Sequence, residues 1–206
     1  MMEFIERSGP VIYGMALCSL GATVVTIERF MALRRSRVLP RQIIDIIESV
    51  QPGKDLSLAV DVCRKNPGVF SDVVLAGLEN VDQRWEVMRD AVIDAGRQET
   101  PALERNLFWL QTIAQASPLL GLLGTVFGMI NMFASISLSG LGDPQILSHG
   151  LAEAMLATAE CLCIGIPTLV IYNYLTSRSE RFIAEIEAYA SRMVSRLRPA
   201  QMEPVQ

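Results

Sequence analysis

One histidine and four cysteines are the only imidazole and thiol ligands that this 206-residue chain offers to a transition metal or a redox centre. The cysteines, Cys18, Cys63, Cys161 and Cys163, never take the CxxC spacing and three of them fall in apolar segments, so neither a zinc site nor a structural disulfide is expected. His149 stands among Ser, Gly and Leu, reads as a loop residue and is assigned no role. No serine–histidine–acid set and no glycine-rich phosphate loop ahead of a helix occurs, so no enzyme activity, catalytic residue, cofactor or metal is expected. A basic surplus is missing too: the net charge is −4, and nucleic-acid binding, which needs cations to displace counterions, is not supported. Charge itself is scarce, 19% of residues against 50% hydrophobic, and the mean hydropathy of +0.32 is more apolar than a soluble domain offers. Part of the chain belongs in lipid.

Three stretches are long enough to cross about 30 Å of hydrocarbon as helices. Ser8 to Ile27 is a run of 20 residues without a formal charge. Its flank carries Glu3, Glu6 and Arg7 where a cleaved leader would carry a basic cluster, so this segment is expected to stay as an anchor. Between Arg105 and Asp143 come 37 uncharged residues, with the second span placed from about Ile113 to about Leu138. The third stretch, about Ile146 to Tyr174, is interrupted by Glu153 and Glu160 and is read as one span carrying two buried acids. Of the 18 Lys and Arg, 12 lie from Arg29 to Arg105 and five from Arg178 to Arg198. The positive-inside rule therefore places those segments, Cys63 among them, in the cytoplasm and the N-terminus outside.

The fold class expected is an all-α integral membrane protein: three transmembrane helices with long cytoplasmic helical extensions. Residues 1–28 hold the outer N-terminal end and the first span, 29–105 a cytoplasmic helical segment, 106–175 spans two and three with a short outer loop, and 176–206 a cytoplasmic helix and tail. Within 29–105, Leu39-Pro40, Pro52-Gly53, Pro67-Gly68 and Thr100-Pro101 are expected to break the helical pattern. Ile43, Ile47 and Val50 share a face, as do Leu56, Ala59 and Cys63, and again Trp85, Met88, Val92 and Ala95. These faces either form a small bundle of their own or pack on extensions of spans two and three. The extension of span three carries the stripe Phe182, Ile186, Tyr189 and Met193.

Span two contains Gly121, Gly124 and Gly128, the last two a GxxxG pair, and small residues at this spacing let helices approach closely in lipid. A packing ridge is the plain reading; Thr125, Asn131 and Ser135 near the same side add the alternative of a hydrated or inter-subunit face. In span three Glu153 and Glu160, seven residues apart, differ by only about 20° around the helix and share one face. A carboxylate deep in a bilayer costs a few kcal/mol or more, so such acids mark ion pathways or are protonated and hydrogen-bonded to a neighbouring helix. For Glu153, nearer the outer end, a solvated interfacial position is a third option. Thr158 lies on a second stripe with Ala154, Cys161 and Gly165, small and suited to packing.

The run Leu107-Phe108-Trp109-Leu110-Gln111-Thr112-Ile113-Ala114-Gln115-Ala116-Ser117-Pro118, followed by LLGLLGTVFGMINMF, resembles the second span of the ExbB/TolQ/MotA proton-channel family. Gly150 to Ala159, then Gly165-Ile166-Pro167 and Tyr172-Asn173, resembles its third, and Val25 to Phe30 is loosely similar to the end of its first. The resemblance implies a homo-oligomeric ring, a pentamer, around a single-span ExbD/TolR-like partner, in lipid of the bacterial inner membrane, driving a TonB/TolA-like protein that spans the periplasm. It implies pore roles for Thr125 and Thr158 and a span-three acid at Glu153. Glu160-Cys161 departs from the family's expected small residues. Length and span count favour the ExbB/TolQ branch, of which an ExbB-like role in TonB-dependent uptake is taken first, with a TolQ-like envelope motor or a non-conducting scaffold as alternatives.

Overall fold

Apolar side chains recurring at three and four residues, with no run of alternation to compete, produce helices, and a computed structural model describes residues 11–49, 56–139 and 144–197 of the chain as eight of them. In chain order they are α1 (Val11–Ala32), α2 (Arg35–Val38), α3 (Arg41–Ser49), α4 (Ser57–Lys65), α5 (Val69–Glu79), α6 (Trp85–Glu104), α7 (Leu107–Ser139) and α8 (Pro144–Leu197). No strand occurs among the described residues. Three helices, α1, α7 and α8, have stretches long and apolar enough to cross a membrane: Tyr13–Ala32, Leu107–Ala134 and part of Gly150–Leu197.

The helices gather into two compact units. The first joins Met1–Arg29 with Asn106–Tyr174; the second joins Phe30–Arg105 with Leu175–Gln206. In the first, large apolar side chains such as Leu17, Leu119, Leu122, Met155 and Val170 are exposed, a surface that water would oppose and lipid accepts. Small residues carry the contacts between its helices instead.

The second unit has an ordinary hydrophobic core. Helix α5 runs through its centre, burying Phe70, Val73, Val74 and Leu78, and its brevity and apolar residues all round, with Asp72 and Glu79 its only charges, hide it from a search for amphipathic stripes. Ile43 and Ile47 from α3, Ala59 and Cys63 from α4, Met88 and Val92 from α6, and Phe182, Ile186 and Met193 from α8 complete the core. Phe70 meets Tyr189 with ring centroids 5.7 Å apart. The C-terminal carbonyls of α3 are held by Arg196, whose Nη1 donates to Ile47 O at 3.2 Å and Glu48 O at 2.6 Å. The 29–105 segment thus packs on the extension of span three.

Two expectations are corrected. Thr100-Pro101 does not end a helix: α6 continues to Glu104 with Pro101 inside it. Proline lacks only its own N–H bond to Arg97 O, and the turn is held by the Thr100 hydroxyl donating to Gly96 O at 2.8 Å. The break comes at Asn106, whose φ of 62° is left-handed, a conformation Asn tolerates better than most residues. His149 lies in α8, one turn past its start, rather than in a loop. The Pro52-Gly53 break and Val50 fall outside the described residues.

Candidate functional site

Of the candidates of spans two and three, Gly121, Gly128, Gly165 and Thr158 meet across the α7–α8 contact of the first unit. Glycine at position 121 leaves room for the backbone of α8: a Cβ there would stand 2.9 Å from Cys161 Cβ and 3.1 Å from Thr158 Cα. At Gly128 a Cβ would stand 2.6 Å from Ala154 Cβ, and at Gly165 a Cβ would meet Ser117 Cβ at 3.2 Å and Pro118 Cδ at 3.3 Å. Real Cβ atoms essentially never approach as closely as those at Gly121 and Gly128 would, and the contacts at Gly165 would be tighter than most, so these glycines set the distance between α7 and α8 within a single chain. Gly124 is buried in α7 on the same helix.

That close approach lets the Thr158 hydroxyl cross between helices and donate to Gly121 O at 2.8 Å. The Thr125 hydroxyl stays on its own helix and donates to Leu122 O at 2.7 Å. Gly121 lies four residues before Thr125, so its carbonyl is also the natural acceptor for the Thr125 backbone N–H. One carbonyl therefore sits between the two threonines, which lie within about one helical turn of each other in depth. Each hydroxyl has used its single donor and keeps lone pairs that can only accept.

Glu160 is half-buried on α8 and, among the described residues, has no ion-pair partner. Glu153 lies on the same unbroken helix, while its side chain, like that of Ser135, lies outside the described residues. Asn131 is exposed on α7.

Residues given no site role by spacing alone also shape this unit. Arg29 is buried to 4% exposure and forks through Nε and Nη2 onto the Glu28 carboxylate, which also accepts from Asn106 Nδ2 at 3.2 Å. An arginine directly after an apolar span is the signal, but spacing cannot say that it is buried. Between α1 and α8 a cavity of about 350 Å³ is bordered by Ser19, Thr23, Thr26 and Thr168. The Thr23 and Thr168 hydroxyls donate to Ser19 O and Ile164 O of their own helices, which makes this a satisfied packing groove.

In the second unit, burial pushes the Cys63 thiol above its ordinary range, and the Asp72 carboxylate adds to it; the Asp72 carboxyl is itself raised by burial. Cys63 is only 1% exposed, so its accessibility from the cytoplasm, expected from its place in the basic segment, is blocked by packing.

The profile of the MotA/TolQ/ExbB proton channel family matches residues 66–188. The Tol-Pal system protein TolQ of Pseudomonas aeruginosa is 34% identical over 127 residues, 62% of this chain and 51% of that protein. A putative biopolymer transport protein ExbB homolog of Methanothermobacter thermautotrophicus is 28% identical over 192 residues, covering 91% of this chain and 67% of that one. The putative biopolymer transport protein ExbB-like 3 of Synechocystis is 30% identical over 177 residues, 82% and 81% of the two chains. The match to the Pseudomonas protein thus spans about half of that relative's length.

Proposed function

Because the chain belongs to the MotA/TolQ/ExbB proton channel family, we propose that it is the ring-forming subunit of an inner-membrane motor driven by proton flow. It has no chemical step of its own. A single-span ExbD/TolR-like partner carries the membrane acid, and the energy passes to a TonB/TolA-like protein that spans the periplasm. The N-terminus and residues 140–143 face the periplasm, and the basic segments face the cytoplasm. TonB-dependent uptake is the first assignment, and a TolQ-like envelope motor the second.

The observation that carries this reading is that Thr125 and Thr158 lie within about one helical turn of each other in depth on neighbouring helices. With both O–H groups donating inward, their oxygens offer only acceptors to the path. They therefore receive a proton-bearing group, hydronium, water or the neutral carboxylic acid of the partner, and favour the partner's acid in its protonated form. Glu160, and Glu153 seven residues above it, supply acids to the same helix. The same hydrogen bonds favour a second reading, in which the threonines only hold helices together and the assembly is a scaffold.

Proton uptake into vesicles containing this chain and its single-span partner separates the two. Thr125→Val is expected to assemble normally and to lose most of the uptake and the growth that depends on it. Normal uptake in Thr125→Val and in Thr158→Val would remove both threonines from the path and leave the acids.

A further inference from the structure

The second unit carries an open groove of about 550 Å³ between α6 and the C-terminal stretch of α8. Its floor is apolar, built from Val73, Val92, Ile186 and Val194; Arg89 and Arg97 stand on its α6 side and Glu187 on its α8 side, so two basic groups and one acid line it. A glycine opens its wall: a Cβ at Gly96 would meet nothing within 4 Å. Around the same helix from the groove, Val87, Asp90 and Asp94 fall within about 60° of one another and about 130° from the groove's centre line. All three are exposed, Val87 to 45%. Helix α6 thus turns Arg89 toward the groove and holds Arg97 at its rim, about 60° from Asp94, where the grooved side meets an acidic edge with an apolar knob. Neither Arg97 nor Asp94 has an ion-pair partner among the described residues, and Arg89 reaches Asp90 only at 3.9 Å while lying over the Trp85 ring at 5.6 Å.

We propose that the groove receives the acidic edge of α6 from a second copy of this chain, so that Asp94 of one copy pairs with Arg97 of the next. The inference rests on the ring reading above and names the surfaces that close the ring. Copies in one membrane share an orientation, and rotation about the membrane normal keeps every residue at its own height. Only surfaces at similar heights can then meet. Asp94 and Arg97 satisfy this because they lie three residues, about 4.5 Å, apart along one helix. The two surfaces differ, so the contact is heterologous, the kind that repeats around a closed ring instead of ending at a dimer. The apolar floor, covered by Val87 and its neighbours, supplies burial, and the charges set register.

The test is the mass of the full chain in detergent or lipid nanodiscs, with helix content measured alongside. Gly96→Trp fills the groove without meeting any atom of its own chain at Cβ, and is expected to convert the ring to monomer at unchanged helix content. Asp94→Arg and Arg97→Asp, both on the surface, are each expected to lose the ring, and the double variant to recover it. A wild-type ring that persists in Gly96→Trp, or single charge reversals that assemble as well as wild type, would overturn the inference and leave the ring reading standing. A Gly96→Trp ring that keeps its mass and loses motor activity would assign the groove to a different protein and overturn the inference as well. A wild-type chain that is monomeric throughout would remove the ring reading and this interface with it.

Discussion

Thr125 and Thr158 sit about one turn apart in depth, yet their hydroxyls hold different things. Thr158 bonds across to α7, whereas Thr125 bonds to its own helix. Thr158→Val should therefore lower the melting point of the detergent-solubilised chain, by an amount corresponding to about 0.6–1.7 kcal/mol, and Thr158→Ser should restore it. Thr125→Val should leave the melting point unchanged. Equal melting of Thr158→Val and wild type would mean that the crossing bond contributes nothing. The two threonines are alike in the sequence, and only the approach of a second backbone at Gly121 distinguishes them. Cys63 makes a parallel case: its reaction with a thiol reagent should be at least tenfold slower than that of an exposed cysteine introduced as Ser36→Cys, because the thiol is buried and pushed up. Asp72→Asn should speed it by removing the carboxylate that helps hold the proton on sulfur. The Asp72 carboxyl, raised by burial, binds its proton more tightly folded than unfolded. Stability should then fall as pH rises from the ordinary Asp range through the raised value and level off above it, and Asp72→Asn should flatten that slope in chemical denaturation.

Between elements, glycine decides how closely helices lie. Gly128→Leu should destabilise the single chain before any question of assembly arises, because even a Cβ stands 2.6 Å from Ala154 Cβ. The expected loss is on the order of 1–3 kcal/mol or more, read as thermal melting of a monomer in detergent. An unshifted melt with a lost ring would place that face between subunits instead. Gly77 does the same work in the second unit, where a Cβ would press on the Met193 methyl and come within 2.9 Å of Val92 Cγ2. The flexible Met193 end can swing away, while the β-branched Val92 on its helix has less freedom, so Gly77→Ala should be destabilising despite its better helix propensity. The GxxxG spacing in α7 was visible as a ridge, but its partner was not. Proline was a poorer guide: Pro101 lies inside α6, whereas the break falls on Asn106, since one missing N–H bond is a local loss that the turn below it absorbs.

At the scale of the whole molecule, 17 of the 18 basic residues follow the first span and none lies between α7 and α8, so the positive-inside rule predicts their segments on the cytoplasmic side. A cysteine at Ser36 should react with an impermeant thiol reagent only in opened cells, and one at Asp143 in whole cells. The reverse pattern would invert the topology and with it the assignment of the basic segments to the cytoplasm.

Span number, the placement of basic residues, the shared face of Glu153 and Glu160, and the stripes of α3, α6 and α8 follow from the sequence by itself, because each depends on spacing along one helix and on the thickness of a bilayer. The family could be read from the residues of α7 and α8 for the same reason, since its signature is contiguous. Only the tertiary structure decided that Thr158 donates to Gly121, that Gly121 and Gly128 of α7 face α8 of their own chain, that Arg29 is buried against Glu28 beside Asn106, and that α5 occupies the centre of the second unit. Helical periodicity states which residues share a face. What that face meets is a property of segments far apart in the chain, settled by shape, burial and the need to pair each buried polar group.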